Sequence, residues 1–146
     1  MRMRWIYKIR CKNKQCGYCV ELREGVGMFL FARNRNLEEQ VKESRNASSE
    51  ILRLVDSGKH IESVTSYECP TCKEWLSIDE PFVFEELHIS PYGTIREYQL
   101  HYLYDKPKCK KCNSELIHIQ NVLSGKNTCP KCGLKSMEGR RLGLYD

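Results

Sequence analysis

Nine cysteines in a chain of 146 residues constrain what this sequence can fold into more than any other feature. Eight of them fall into close pairs: Cys11 with Cys16, Cys69 with Cys72, Cys109 with Cys112, and Cys129 with Cys132. A gap of two residues lets the backbone bend around one ion and point both sulfurs at it, so eight thiolates supply two four-cysteine metal sites. The strongest stretch runs Cys109-Lys-Lys-Cys112, sixteen residues, then Cys129-Pro-Lys-Cys132-Gly133. Gly133 suits the positive φ that the chain needs on leaving the bend. A closed four-thiolate site keeps no open position for substrate, so both sites read as structural.

The N-terminal pair is open to two readings, because Cys11, Cys16 and Cys19 compete for two places. Cys16 and Cys19 have the two-residue gap. Cys16-Gly17-Tyr18, however, repeats the exit of Cys132-Gly133-Leu134. On that cue Cys11 and Cys16 are the ligands and Cys19 is left over. Strand alternation agrees, since Cys19 falls opposite the face of Tyr18, Val20 and Leu22.

The C-terminal stretch resembles zinc-ribbon and rubredoxin-like knuckle proteins through Cys109, Cys112, Cys129, Pro130, Cys132 and Gly133. The resemblance implies two knuckles at the ends of a small β-hairpin. The whole chain resembles small uncharacterised bacterial proteins with tandem zinc ribbons. The matching features are Cys16-Gly17-Tyr18, Glu24-Gly25-Val26-Gly27, a helical insert, the central Cys69-Pro-Thr-Cys72 and the C-terminal Cys-Pro-x-Cys-Gly. Such relatives carry two residues, not four, before the Cys-Gly-Tyr. Two Zn²⁺ per chain are expected. Iron is the less favoured metal, since the sixteen-residue spacer lacks the aromatic residues that surround iron in rubredoxins.

The expected fold is small, α+β and metal-stabilised: two antiparallel zinc ribbons, with a helical insert splitting the first. Residues 1–104 form the split ribbon, with a helix over about 37–57 and a β-hairpin over about 81–104. The helix expectation rests on apolar residues at three- and four-residue steps, Asn36 as N-cap, Glu39 reaching back, and Gly58 as terminator. Arg45 to Ser49 is a weakly helical centre that can divide the segment. The hairpin turns at Pro91-Tyr92-Gly93 and places Tyr98, Leu100, Tyr102 and Tyr104 on one face. Residues 105–146 form the second ribbon, with a strand near 115–121. On this division Cys11, Cys16, Cys69 and Cys72 hold one ion, and Cys109, Cys112, Cys129 and Cys132 the other.

Charge is uneven around a formal net of +5: residues 1–36 carry +7, 37–104 carry −7 and 105–146 carry +5. Each ion with four thiolates adds −2, so the loaded protein stands near +1 and Lys108, Lys110, Lys111 and Lys131 offset thiolate charge. No apolar run approaches the roughly 20 residues of a spanning helix. No secretory leader is seen and eight paired cysteines suit metal rather than disulfides, so a cytoplasmic, non-membrane protein is expected. Oligomeric state is not legible.

Two functional classes follow. The first is a zinc-built interaction module meeting a protein or nucleic acid. Trp5, Tyr7 and Tyr18 beside Arg2, Arg4, Lys8, Arg10, Lys12 and Lys14 would stack bases and hold phosphates. The simpler reading makes the aromatics core and the charges solubilising. The second class is an enzyme or redox-responsive protein with its site in the central hairpin and helix. His88 and His101 facing each other across the hairpin would make a third metal pair, though partly exposed strand histidines are the simpler account. Glu85 and Glu86 read as a solvated strand edge. The matched Cys-x-x-Cys sets lie between strands, not at the start of a helix, and so argue against thioredoxin-like chemistry.

Overall fold

A computed structural model describes residues 5–25, 43–44, 48–56, 61–89 and 96–144. Strand β1 spans Trp5–Cys11 and follows period-two alternation: Tyr7, Ile9 and Cys11 are buried, while Lys8 and Arg10 are exposed. Strand β2, Cys19–Glu24, pairs antiparallel with it and sets buried Leu22 opposite Tyr7. Helix α1 spans Ser49–Asp56. Strand β3, Ile61–Cys69, runs through a knuckle into the long strand β4, Glu74–Ile89. Strand β5, Arg96–Tyr102, returns along β4. Two strands come from the C-terminal region: the two-residue β6, Ile117–His118, and β7, Met137–Leu144.

These strands make two antiparallel sheets, ordered β2-β1-β7 and β5-β4-β3-β6. Glu80 and Pro81 lie where the β3–β4 register shifts, between the pairs Glu62↔Phe82 and Val64↔Asp79. A strand proline is tolerated at such an irregularity because its missing N–H breaks no ladder bond there. The sheets meet where β2 ends. Gly25 and Val64 exchange backbone hydrogen bonds of 2.8 and 2.9 Å. The buried Ser66 hydroxyl donates to Glu24 at 2.8 Å, and the Arg23 N–H donates to the Ser77 hydroxyl at 2.7 Å.

Each sheet carries its own core. Tyr7, Ile9, Leu22, Trp75, Ile119, Val122 and Met137 pack with Cys11 and Cys129. Tyr67 and Leu116 pack with Cys69 and Cys109. Trp75 ties the two together: its backbone N–H donates to the Tyr18 hydroxyl at 2.8 Å, and its indole N–H to Glu68 at 2.9 Å. His118 lies edge-on to Tyr67 and 3.2 Å from the Thr65 hydroxyl. Burial pushes its pKa down to about 4, so it is a neutral imidazole at pH 7.

Within the expected 37–57, helix is described at Glu43 and over Ser49–Asp56, and Ser48 caps the latter: its hydroxyl accepts from the Ile51 N–H at 3.2 Å. Ile51 and Leu54 are its buried face. Asn36, Glu39 and Gly58 lie outside the described residues, as does the hairpin turn at 91–93. The hairpin itself is present, in a register from Phe82↔Tyr102 to Ile89↔Arg96. Tyr102 donates to or accepts from the Tyr67 hydroxyl at 3.0 Å, whereas Tyr104 is exposed beyond the strand end.

The C-terminal region departs furthest from expectation. The strand expected near 115–121 shrinks to Ile117–His118 and pairs with β3, and β7 was not legible at all. Within residues 105–144, β6 joins one sheet and β7 the other. A close approach fixes β7 on β1: at Gly139 an added Cβ would strike the Ile9 side chain, with Leu123 and the Lys8 carbonyl close behind. Ile9 is fully buried and has nowhere to retreat. Gly139→Ala is therefore expected to cost about 1–3 kcal/mol by overpacking and to lower the melting temperature of the metal-loaded protein by about 3–10 °C in a thermal scan.

Candidate metal centres

Four knuckles supply the thiols, and all four share one backbone device. In each, the residue after the second cysteine has positive φ: Gly17 at 68°, Lys73 at 54°, Asn113 at 61° and Gly133 at 78°. The N–H of that residue turns back to a carbonyl: Lys73 to Cys69 at 2.8 Å, Asn113 to Cys109 at 2.8 Å, and Gly133 to Cys129 at 2.9 Å. In the wider first knuckle, Gly17 turns back to Asn13 at 3.2 Å, so Asn13 occupies the backbone position that a cysteine holds in the other three. Cys11 sits two residues earlier, at the end of β1, where the alternation of that strand already faces the core.

The thiols converge in two groups. Cys11, Cys16, Cys129 and Cys132 form one, and Cys69, Cys72, Cys109 and Cys112 the other, with all sulfurs of a group within 4.8 Å of one another. A tetrahedral ion with metal–sulfur bonds of about 2.3 Å separates its sulfurs by about 3.8 Å. Cys11–Cys132 measures 3.6 Å, Cys16–Cys129 3.7 Å, Cys69–Cys112 3.5 Å and Cys72–Cys109 3.9 Å. All nine cysteines are free thiols rather than disulfides. Cys19 is exposed and belongs to neither group.

This grouping corrects the expected one. The sequence reading joined Cys11 and Cys16 to Cys69 and Cys72, and Cys109 and Cys112 to Cys129 and Cys132. The structure exchanges the partners, because β7 lies against β1 while β6 lies against β3. Strand β7 carries Cys129 and Cys132 to the end of β1; the short β6 carries Cys109 and Cys112 to the end of β3. One mark in the sequence followed the true grouping. The two knuckles that exit through glycine, Gly17 and Gly133, belong together, and so do the two that exit through Lys73 and Asn113.

Hydrogen bonds from neighbouring thiols, with burial, push Cys72 up to about 12, and burial pushes Cys129 up to about 12. Bonds from the hydroxyl and backbone of Ser114 bring Cys112 down to about 6, and the backbone of Leu134 brings Cys132 down to about 6. Each group thus holds one thiol that ionises readily and one that is held protonated. A dication removes that conflict by deprotonating all four. Serine hydroxyls touch both groups: Ser136 lies 2.9 Å from Cys11, and Ser114 lies 3.2 Å from Cys112 and 2.8 Å from Thr71.

The knuckle lysines serve local pairing. Lys111 donates to Glu74 at 3.0 Å, and Lys131 reaches from one knuckle to the Cys72 carbonyl of the other group at 3.5 Å, passing over the Tyr18 ring. Of the aromatics expected to stack bases, Tyr7 is core, the Tyr18 hydroxyl is engaged by Trp75, and Trp5 lies beneath the Arg141 guanidinium at 4.1 Å. Arg2 and Arg4 lie outside the described residues. The spacer between Cys112 and Cys129 has no aromatic residue, yet Trp5, Tyr7, Tyr18 and Trp75 pack around the first thiol group. His88 and His101 are not opposite each other; His88 pairs with Glu97 and His101 with Val83.

No family model, curated protein or solved structure matches this chain. No described helix is long and apolar enough to cross a membrane, and the described residues hold no clear catalytic cluster. Cys19→Ser is expected to keep both metal ions, whereas Cys11→Ser loses or weakens one, as read by metal content after gel filtration. The reverse pattern would put Cys19 in the first centre.

Proposed function

We propose that this chain is a zinc-dependent interaction module: two structural zinc ions close the fold, and the surface they hold in shape meets a partner. The observation that carries the reading is the pair of four-thiol groups with sulfur separations of 3.5–3.9 Å along the measured edges. Four thiolates complete the shell of a tetrahedral ion, so the sites stabilise the fold and have no vacancy for a reacting group. The same closure argues against a dithiol redox role: the pairs Cys69/Cys72, Cys109/Cys112 and Cys129/Cys132 each face a second pair, and Cys16 is held in a thiol group from which Cys19 is absent. Zinc is preferred as the ion that four thiolates bind without redox change.

A protein partner fits the surface better than nucleic acid does. On the outer face of β2-β1-β7, Lys8 pairs in register with Glu21 and Arg140, Arg10 bonds Glu138 at 3.0 Å, and Glu21 lies 3.6 Å from Arg23. Cations and carboxylates alternate there, which blunts a phosphate-tracking surface. With both ions bound the formal charge of +5 falls to about +1.

Elemental analysis of the purified protein is expected to find two zincs per chain and no visible charge-transfer band. Chelation at mildly acidic pH should abolish the strand signal in circular dichroism, and added Zn²⁺ should restore it. Iron with a visible band, or an apo chain that stays folded, would overturn the reading. A labelled single-stranded oligonucleotide titrated at low and high salt is expected to show no binding. Salt-dependent binding would make nucleic acid the partner instead.

A further inference from the structure

We propose that His101, Glu85 and Glu50 form a third cation site, of nitrogen and oxygen donors, for a divalent transition-metal ion such as zinc. The site is separate from the thiol centres, and its validity does not depend on the reading of their function. Three elements build it. Glu85 on β4 and His101 on β5 are diagonal neighbours on one face of the hairpin, because His101 pairs in register with Val83 and strand side chains repeat every two residues. Glu50 comes from the first turn of α1, which Ile51 and Leu54 pack down by their burial. Glu85, expected as part of a solvated edge, is instead half-buried against the imidazole.

Two observations point to a ligand rather than to a plain ion pair. First, His101 Nε2 is sealed from solvent and has no hydrogen-bond partner among the described residues. Buried polar nitrogens are nearly always satisfied, so this one needs an occupant. Second, Nε2 lies 3.5 Å from Glu85 Oε1. That exceeds the roughly 3.2 Å limit of a good N–H···O bond. It matches the edge of about 3.4 Å between two donors of a tetrahedral ion bound at about 2.1 Å. Donor atoms of all three residues lie within 4.8 Å of one another, so Glu50, exposed on its helix, needs only a small rotamer adjustment to close the set. Imidazole with carboxylates suits a borderline divalent ion, in contrast to the soft thiolate centres. Three protein donors also leave the fourth position of the ion open to water or another small oxygen ligand, which neither thiol centre does.

The test uses the full chain loaded with two zincs, in a Cys19→Ser background so that the exposed thiol contributes no zinc binding. Zn²⁺ is titrated against a colorimetric chelator much weaker than the thiolate centres. One further equivalent of zinc is expected to bind. Glu50→Gln and Glu85→Gln should each weaken it by about tenfold or more, since even the outer partners of a metal ligand are worth that much. Together they should abolish it. Glu50 is exposed, so its neutralisation leaves the fold intact and isolates the metal effect. Failure to bind a third equivalent, or a third zinc indifferent to Glu50→Gln, would overturn the site and leave His101 and Glu85 as a plain side-chain contact.

Discussion

Thiolates brought within 4 Å of one another repel, and a buried cluster of four is stable only around a cation that cancels their charge. That constraint bears on the rest of this fold, because the two clusters join parts of the chain that lie far apart in sequence. Cys11 and Cys132 stand 121 positions apart, and Cys69 and Cys112 stand 43 apart inside that span. One closure is therefore nested within the other. Closing a long loop costs only slowly more than closing a short one, so the outer centre can fix both ends of the chain at a modest entropic cost. The inner centre meanwhile shortens the free loop that the outer one must close.

Packing follows the same plan. Buried cysteines are members of both cores, so the sulfurs are at once ligands and apolar filling. Tyr18 and Lys131 link the centres: the tyrosine hydroxyl holds the start of β4, and the lysine of one knuckle reaches the Cys72 carbonyl of the other group. A change at either centre is thus felt where β4 begins, next to the second.

The cysteine pairs were legible because metal chemistry imposes local spacing, and the cue of Cys16-Gly17-Tyr18 favoured Cys11, the thiol that the structure also brings into the first group, over Cys19. The hairpin at 82–102 was legible for a related reason, namely alternation on both sides of a turn signal. The partnering of the pairs was not. It depends on β7, and Met137-Glu-Gly-Arg-Arg-Leu-Gly-Leu144 has two glycines and three charges where a strand is expected to show β-branched and aromatic residues. Its fitness as a strand is tertiary: Gly139 leaves room for Ile9, and Arg141 covers Trp5. The third cluster was hidden for a similar reason. Glu50, Glu85 and His101 have no common spacing, and only the pairing of β5 on β4 and the seat of α1 bring them together.

The crossed grouping of the knuckles is tested most directly by two double variants whose zinc content is measured after gel filtration in the presence of a competing chelator. Cys11→Ser with Cys129→Ser removes two ligands from one centre and should leave one zinc per chain. Cys11→Ser with Cys69→Ser removes one ligand from each centre and should leave none tightly bound. The opposite pattern, with Cys11→Ser/Cys129→Ser losing both zincs, would mean that neighbouring pairs along the chain share an ion after all and would contradict the nested arrangement.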